Sequence, residues 1–493
     1  MKNIIRNIFA ITVSALCFNS CKKDYLETAP TSSINSTLVF QTTTNAFAAL
    51  NGIHRLLYTS GASQDQGGEG SAMINLDMLG DDLVMTTSGN GWYNNTYKWV
   101  DHRTANSVTD AYMYLFYYQI ISNANLIINN VDAAEGETAD KNSIKGQALV
   151  YRAWSYFNLV QMFGKRYDAA SKPNNQSGVP LLTSNLIASL PRAKVEEVYA
   201  QILKDLADAT TNLTGYNRDE DKSQIDVSVA KGLKARVALT MQDWTTAAQY
   251  AVEARQVYSL MSPDDYISGF NDTSIPEWMW GSHQISDQQE YFSSFFAYMS
   301  ANFGSTNIRT NPKAINSTLY NMIPASDIRK QLWDPTGANS DFPIPPSGVR
   351  RPYMNRKFLA ANSSLSVGDV PYMRMSEMFL IEAEAKARSG GQDAAARDAL
   401  FVLQKARDEN AVKSVNSGAA LINEILVQRR MEFWGEGFRF FDLKRLNLPL
   451  DRTNSNHTQA LANVLTIPGG DPRWEFLFPQ AEINANPAIV QNP

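Results

Sequence analysis

The residues that could do chemistry are few, and their spacing rules out most reaction classes. The four histidines, His54, His102, His283 and His457, lie far apart, and none forms the i, i+4 pair that a zinc hydrolase needs. No phosphate-cradling Gly-x-x-x-x-Gly-Lys run and no Gly-x-Ser-x-Gly elbow occurs. Asp77, Asp81 and Asp82 are close together but do not follow the calcium-loop order. Carboxylates one or two apart on a helix, such as Glu382 and Glu384, do not face each other and make poor acid/base pairs. No catalytic residue, metal ligand or cofactor is assigned.

What stands out instead is aromatic side chains grouped with amides. A sugar presents C–H patches on its faces and hydroxyls at its edges. A flat aromatic ring answers the first, and Asn, Asp, Gln or Arg answer the second. Residues 81–103, DDLVMTTSGNGWYNNTYKWVDHR, hold both around the Gly89-Asn90-Gly91 turn. The candidate ligand-binding residues there are Asp81, Trp92, Tyr93, Asn95 and Trp99. A second cluster contains Trp278, Trp280 and Tyr291, with His283 and Gln284 between them. Pro276 to Trp280 reads as a short strand that places Trp278 and Trp280 on one face.

These groups need a scaffold. Phe40, Phe47, Leu50, Ile53 and Leu57 predict a helix over 38–58. Strong helices are predicted over 108–131, capped by Thr109 or Asp110, and over 141–164, ended by Gly164. In the second, Ala148, Arg152, Ser155, Tyr156 and Leu159 fall near one face. Two helix-turn-helix units follow, at 227–258 and 372–409. In each, small residues such as Ala230, Gly232, Ala235 and Ala238, or Ala383, Ala385 and Ala387, let antiparallel helices approach closely. The turns are Gln242-Asp243-Trp244 and Ser389-Gly390-Gly391. This is tetratricopeptide-like without the full tetratricopeptide pattern. Residues 259–370 have weak helical periodicity and frequent Pro, Gly, Asn and Ser, which predicts a loop-rich lobe. Residues 446–493 read as coil with a final short strand or turn.

The N-terminus has its own pattern. Lys2 and Arg6 precede an apolar run, Ile8 to Leu16, of signal-peptide length. Ser20 then precedes Cys21, the arrangement a lipoprotein signal peptidase cuts. Cys17 is the rival lipidation site, but charges follow Cys21 at once. Cleavage there leaves roughly 470 residues, beyond one ordinary core, so two lobes or an extended repeat are expected. The formal net charge of −5 argues against a nucleic-acid surface.

Four stretches together resemble the SusD/RagB family: Ser20 to Glu27 with Pro30, Gly146 to Gly164, Tyr372 to Ala385, and Arg429 to Arg445. The last is the most specific, matching Arg-x-x-Glu-Leu-x-x-Glu-Gly-x-Arg-x-x-Asp-Leu-x-Arg except that Phe433 replaces the usual Leu. On residues alone, Arg429, Glu432, Glu436, Arg439, Asp442 and Arg445 read as an ion-pair network that locks a helical corner. The resemblance implies a mainly α, SusD-like fold with a tetratricopeptide-like scaffold and a loop-rich lobe. It divides the chain into a leader (1–20), a lipidated tether (21–36), an N-terminal helical region (37–258), a ligand-binding lobe (259–370) and a C-terminal helical region with coil (371–493). It further implies a non-enzymatic lipoprotein on the outer membrane, facing outward. Such a protein captures a glycan beside a SusC-like TonB-dependent transporter. The alternative is a helical-repeat scaffold or lid that binds peptides or a protein partner.

Overall fold

The computed structural model describes residues 39–185 and 189–493, so the expected leader, Cys21 and the tether to residue 36 lie outside the described residues. The main helices are α1 (Thr43–Leu56), α2 (Gly68–Met78), α3 (Val108–Asn130), α4 (Thr138–Phe163), α5 (Val195–Asn212), α6 (Val227–Thr240), α7 (Trp244–Ala254), α8 (Met375–Arg388), α9 (Asp393–Arg407), α10 (Gly418–Glu432) and α11 (Arg439–Arg445). From α3 to α9 each helix packs on the next, and α10 also lies against α8. Stacking is what lets each repeat bury a face it could not bury alone.

The two helical hairpins form for the reasons their residues suggest. Ala230, Gly232, Ala235 and Ala238 on α6 are buried, as are Ala247, Ala251 and Ala254 on α7. Gln242 takes the left-handed backbone (φ 63°) and the Asp243 carboxylate caps α7 by accepting from the Thr246 N–H at 3.1 Å. Between α8 and α9 the left-handed residues are Gly390 and Gly391, where any side chain would be strained.

Two local expectations differ from the structure. The cap of α3 is neither Thr109 nor Asp110 but Ser107, whose hydroxyl accepts from the Asp110 N–H at 3.4 Å. Ser107 has the extended backbone a cap requires, while Asp110 has already turned inward and is buried. Helix α4 does not present a single buried face. It is buried on every side from Gly146 to Phe163, because α3 and α5 flank it and other elements cover the rest. It is the axis of the main core, and its Arg152 is neutralised by a two-pronged contact with Asp205 at 2.6 and 2.8 Å.

The strands are short: β1 (Leu83–Met85), β2 (Trp278–Gly281), β3 (Lys313–Ile315), β4 (Trp333–Asp334), β5 (Met354–Asn355), β6 (Pro371–Arg374), β7 (Leu450–Asp451) and β8 (Thr466–Ile467). Four form an antiparallel sheet in the order β1-β3-β5-β4, with Val84 opposite Ala314 and Trp333 opposite Asn355. This sheet joins the 81–85 stretch to the irregular 313–355 stretch. The region before residue 258 and the loop-rich lobe therefore share hydrogen bonds and a common core. A smaller separate core lies among α8, α9 and α10.

Candidate ligand-binding surface

The charged motif of the C-terminal region is structural. Arg374, Arg407, Arg329 and Lys357 face Glu277, Glu432, Glu436 and Asp327, four cations against four carboxylates, all buried. Arg374 reaches Glu277 at 2.5 Å, Glu432 at 2.9 Å and Glu436 at 2.7 Å. Glu277, Asp327, Arg329 and Lys357 come from the irregular stretch, and the others from the scaffold. The network thus fastens the loop-rich lobe to the helices. Burial alone would raise the Glu432 carboxyl, but Arg407 and Arg374 outweigh it and hold the group well below its usual range. Arg429 pairs with Asp442 at 2.7 Å rather than with its helical neighbours, and Arg445 bridges Asp442 and Glu384.

Asp81 belongs to this locking chemistry too. It is 4 % exposed and bound to Arg439 at 2.5 Å, while Asp82 holds Arg430 at 2.6 Å. Burial opposes ionisation of Asp81, yet Arg439 and Arg430 prevail and its carboxyl is held down to about 2. A carboxylate so buried and so engaged presents little of itself to solvent. Asp77 is also buried and accepts from the Gly437 N–H at 2.9 Å. Among the described residues no group of three His, Cys, Asp or Glu side chains could hold a metal ion.

The aromatic residues singled out in the sequence divide into two sets. Trp278 and Trp280 are 0 % and 1 % exposed, and Trp280 meets Tyr151, Trp154 and Tyr372 edge to face. They are core residues and offer no ring to solvent. The strand β2 is buried along its whole length, so the alternation of its side chains exposes neither. Trp99 is likewise buried, donating its indole N–H to the Leu79 carbonyl at 3.1 Å and packing against Trp474. Tyr93 is buried between Ser71, which its hydroxyl meets at 3.0 Å, and the Tyr298 ring.

Three of the singled-out residues remain at the surface. Trp92 is half-buried against the core, Asn95 is exposed, and Tyr291 is 44 % exposed. The Asn95 side chain makes no hydrogen bond among the described residues. The left-handed backbone of Tyr93 (φ 62°) turns the chain so that Tyr93 points inward while its neighbours stay out. Sequence reasoning missed the partners that shape this surface. Asn90 donates to Thr306 at 2.8 Å and to Asn307 at 3.2 Å, and Thr87 donates to the Thr310 carbonyl at 2.7 Å. These contacts bind the 86–95 turn to the helix Thr306–Thr310. Tyr291 packs on Phe292 and Phe303, three residues before that helix, and Phe292 is itself 45 % exposed. The polar composition of 302–311 (NFGSTNIRTN) and the adjacent Tyr291-Phe292 pair were the available signals. The turn that carries half-buried Trp92 and exposed Asn95 is thus tied to Thr306–Thr310, and the partly exposed Tyr291 and Phe292 rings lie in the segment that precedes this helix.

The comparisons with known proteins cover nearly the whole chain. Residues 24–239 match a SusD-like family model described as "Starch-binding associating with outer membrane", and residues 331–493 match the SusD/RagB model, described as "SusD family". The SusD-like protein P25 of Formosa agariphila is 22% identical over 440 residues, covering 78% of this chain and 79% of the relative. A SusD-like carbohydrate binding protein from Bacteroides vulgatus superposes with a TM-score of 0.80 at 26% identity, covering 92% of this chain and 98% of that one. A SusD superfamily protein from Bacteroides thetaiotaomicron gives 0.79 at 25% identity, covering 92% and 100%.

Proposed function

Since the chain belongs to the SusD/RagB family of non-catalytic glycan-binding proteins, we propose that it captures an oligo- or polysaccharide at the outer membrane and delivers it to a TonB-dependent transporter. The anchor is a lipid on Cys21, and the transporter supplies the driving force for import. Among the described residues no helix is long and apolar enough to cross a membrane, so the lipid would hold the protein there.

The glycan contacts are Trp92, Asn95 and Tyr291, joined by Phe292 and by the amide and hydroxyl groups of Asn90 and Thr306. The observation that carries this reading is the coincidence of exposed rings and hydrogen-bonding side chains on the surface built by 86–95 and 291–310. Rings take the C–H faces of a sugar and amides take its hydroxyls. Affinity electrophoresis through gels containing starch, laminarin, xylan or pectin tests the proposal. Retardation by a polysaccharide that is lost in Trp92→Ala and Tyr291→Ala supports it. Unretarded migration in every gel refutes it, and retardation kept in both variants moves the site elsewhere.

A further inference from the structure

Arg374, Arg439 and Arg445 are spent on carboxylates. Four arginines of the loop-rich lobe are not. Arg309, Arg350, Arg351 and Arg356 are half-buried, and none has an ion-pair partner among the described residues. Between residues 309 and 356 there are seven basic side chains and three acidic ones, in a chain whose formal net charge is −5. Arg329 takes Asp327, and the ammonium groups of Lys313 and Lys330 lie on backbone carbonyls. Asp334 is buried and accepts from the N–H groups of Thr336, Gly337 and Asn339, and Asp341 accepts from the Ser340 hydroxyl. The positive charge of this stretch is therefore not cancelled within it.

The four arginines are linked through contacting backbone. The Arg309 carbonyl accepts from the Val349 N–H at 2.7 Å, which sets it beside Arg350 and Arg351. Arg350 donates to the Asn339 carbonyl at 2.5 Å, and that carbonyl also accepts from the Phe342 N–H at 3.3 Å. The Phe342 ring in turn lies 5.8 Å from the Arg356 guanidinium. The side chains of Arg309 and Arg351 make no hydrogen bond among the described residues. The Nε atoms of Arg309 and Arg356 are buried without an acceptor, a state that costs stability until something accepts from them. A guanidinium presents a planar fork of donors that matches a carboxylate or a sulfate. Arg309 stands one helical turn beyond Thr306, the residue to which Asn90 donates, so the positive stretch begins at the edge of the Trp92 turn.

On the glycan-binding reading above and on these charges, we infer that the captured polysaccharide is anionic. Its carboxylate or sulfate groups are taken by Arg309, Arg350 and Arg351, while its sugar faces meet Trp92. Arg356 adds to the local positive field, which draws a polyanion toward the surface. A neutral chain would leave these donors unanswered.

Affinity electrophoresis of the full chain tests this, at low and at high salt. Polygalacturonate and alginate supply carboxylates, carrageenan and dextran sulfate supply sulfates, and starch and laminarin are the neutral chains. The expected result is retardation by a carboxylate gel or a sulfate gel, which names the group. Added salt weakens it by screening. Arg309→Gln and Arg351→Gln each weaken it about tenfold, the loss of one charge-assisted hydrogen bond at a partly exposed site, and Arg351→Lys weakens it less. The Arg351 side chain holds nothing in the fold, so its variants remain informative if Arg309→Gln fails to fold. Retardation by neutral gels alone overturns the anionic assignment and leaves the glycan reading standing, whereas retardation by no polysaccharide overturns both. Retardation by an anionic gel that is unchanged in Arg351→Gln and in the Arg309→Gln, Arg351→Gln double variant overturns the role of these arginines. Equal retardation by all four polyanions, kept in Trp92→Ala, is ion exchange and overturns the assignment as well.

Discussion

Replacing Glu432 with Ala should loosen the loop-rich lobe from its scaffold. Glu432 is fully buried, and its carboxylate accepts four hydrogen bonds from three arginines: one from Arg329, one from Arg374 and two from Arg407. The eight-member network is balanced in charge, so the substitution leaves one uncompensated buried positive charge. Breaking such a pair from one side costs about 3–5 kcal/mol, even where the intact pair contributes little net stability. A chain of 493 residues has an unfolding entropy of about 1 kcal/mol per kelvin. The melting temperature should therefore fall by about 3–5 °C, read by calorimetry at fixed pH and scan rate. Glu432→Gln keeps the shape and some acceptor capacity, so its loss should be smaller. Amide hydrogen exchange should rise first around Glu277, Asp327 and Lys357, the members contributed by the irregular stretch. A change below about 1 kcal/mol in Glu432→Ala, with exchange unaltered there, would refute the argument that the network fastens the two parts together.

Further outcomes follow from the same structure. Trp280→Ala should cost about 3–5 kcal/mol, because it empties a core position, whereas Trp92→Ala should leave the melting temperature nearly unchanged and remove polysaccharide retardation. Gly437→Ala should destabilise by about 1–2 kcal/mol or more: Gly437 has φ 79°, and a Cβ there would lie 2.9 Å from the Met73 backbone, readable as a lowered denaturant midpoint. Burial lowers His102 to about 3 and His457 to about 3, from 6.5. The unfolded chain therefore binds protons that the folded one does not, and the stability from these groups is complete above pH 6.5 and is lost as pH falls from there toward 3. The loss at pH 5 should be about 2 kcal/mol per histidine, and His102→Gln should flatten that part of a stability–pH curve. Glu69 has the opposite sign. Burial raises it to about 8 against a hydrogen bond from Tyr117, so its cost grows as pH rises from about 4.5 toward 8, and Glu69→Gln should gain stability in that window.

The sequence by itself determined what depends on neighbours along the chain. The helical hairpins follow from closely recurring small residues, ended by Gln242-Asp243 or Gly390-Gly391, and α6–α7 and α8–α9 appear where those residues lie. The motif from Arg429 to Arg445 was readable as a locking network because its charges are local, and Arg445 does meet Asp442 three residues away. Its main partners were not readable. Arg374 and Glu432 are 58 residues apart, and Glu277 and Arg407 are 130 apart. The same limit explains the aromatic residues. Trp92, Trp99 and Trp280 all sit in stretches rich in polar neighbours, yet only Trp92 keeps part of its surface. Composition records which side chains could face a sugar. Whether one does depends on what packs over it from distant parts of the chain: Trp474 over Trp99, Tyr372 over Trp280, and the polar helix Thr306–Thr310 at the edge of the Trp92 turn. Local periodicity carries no information about that covering, because it is set by the long-range packing of α4, the β1–β3 pairing and the buried charges, and only the assembled fold decides it.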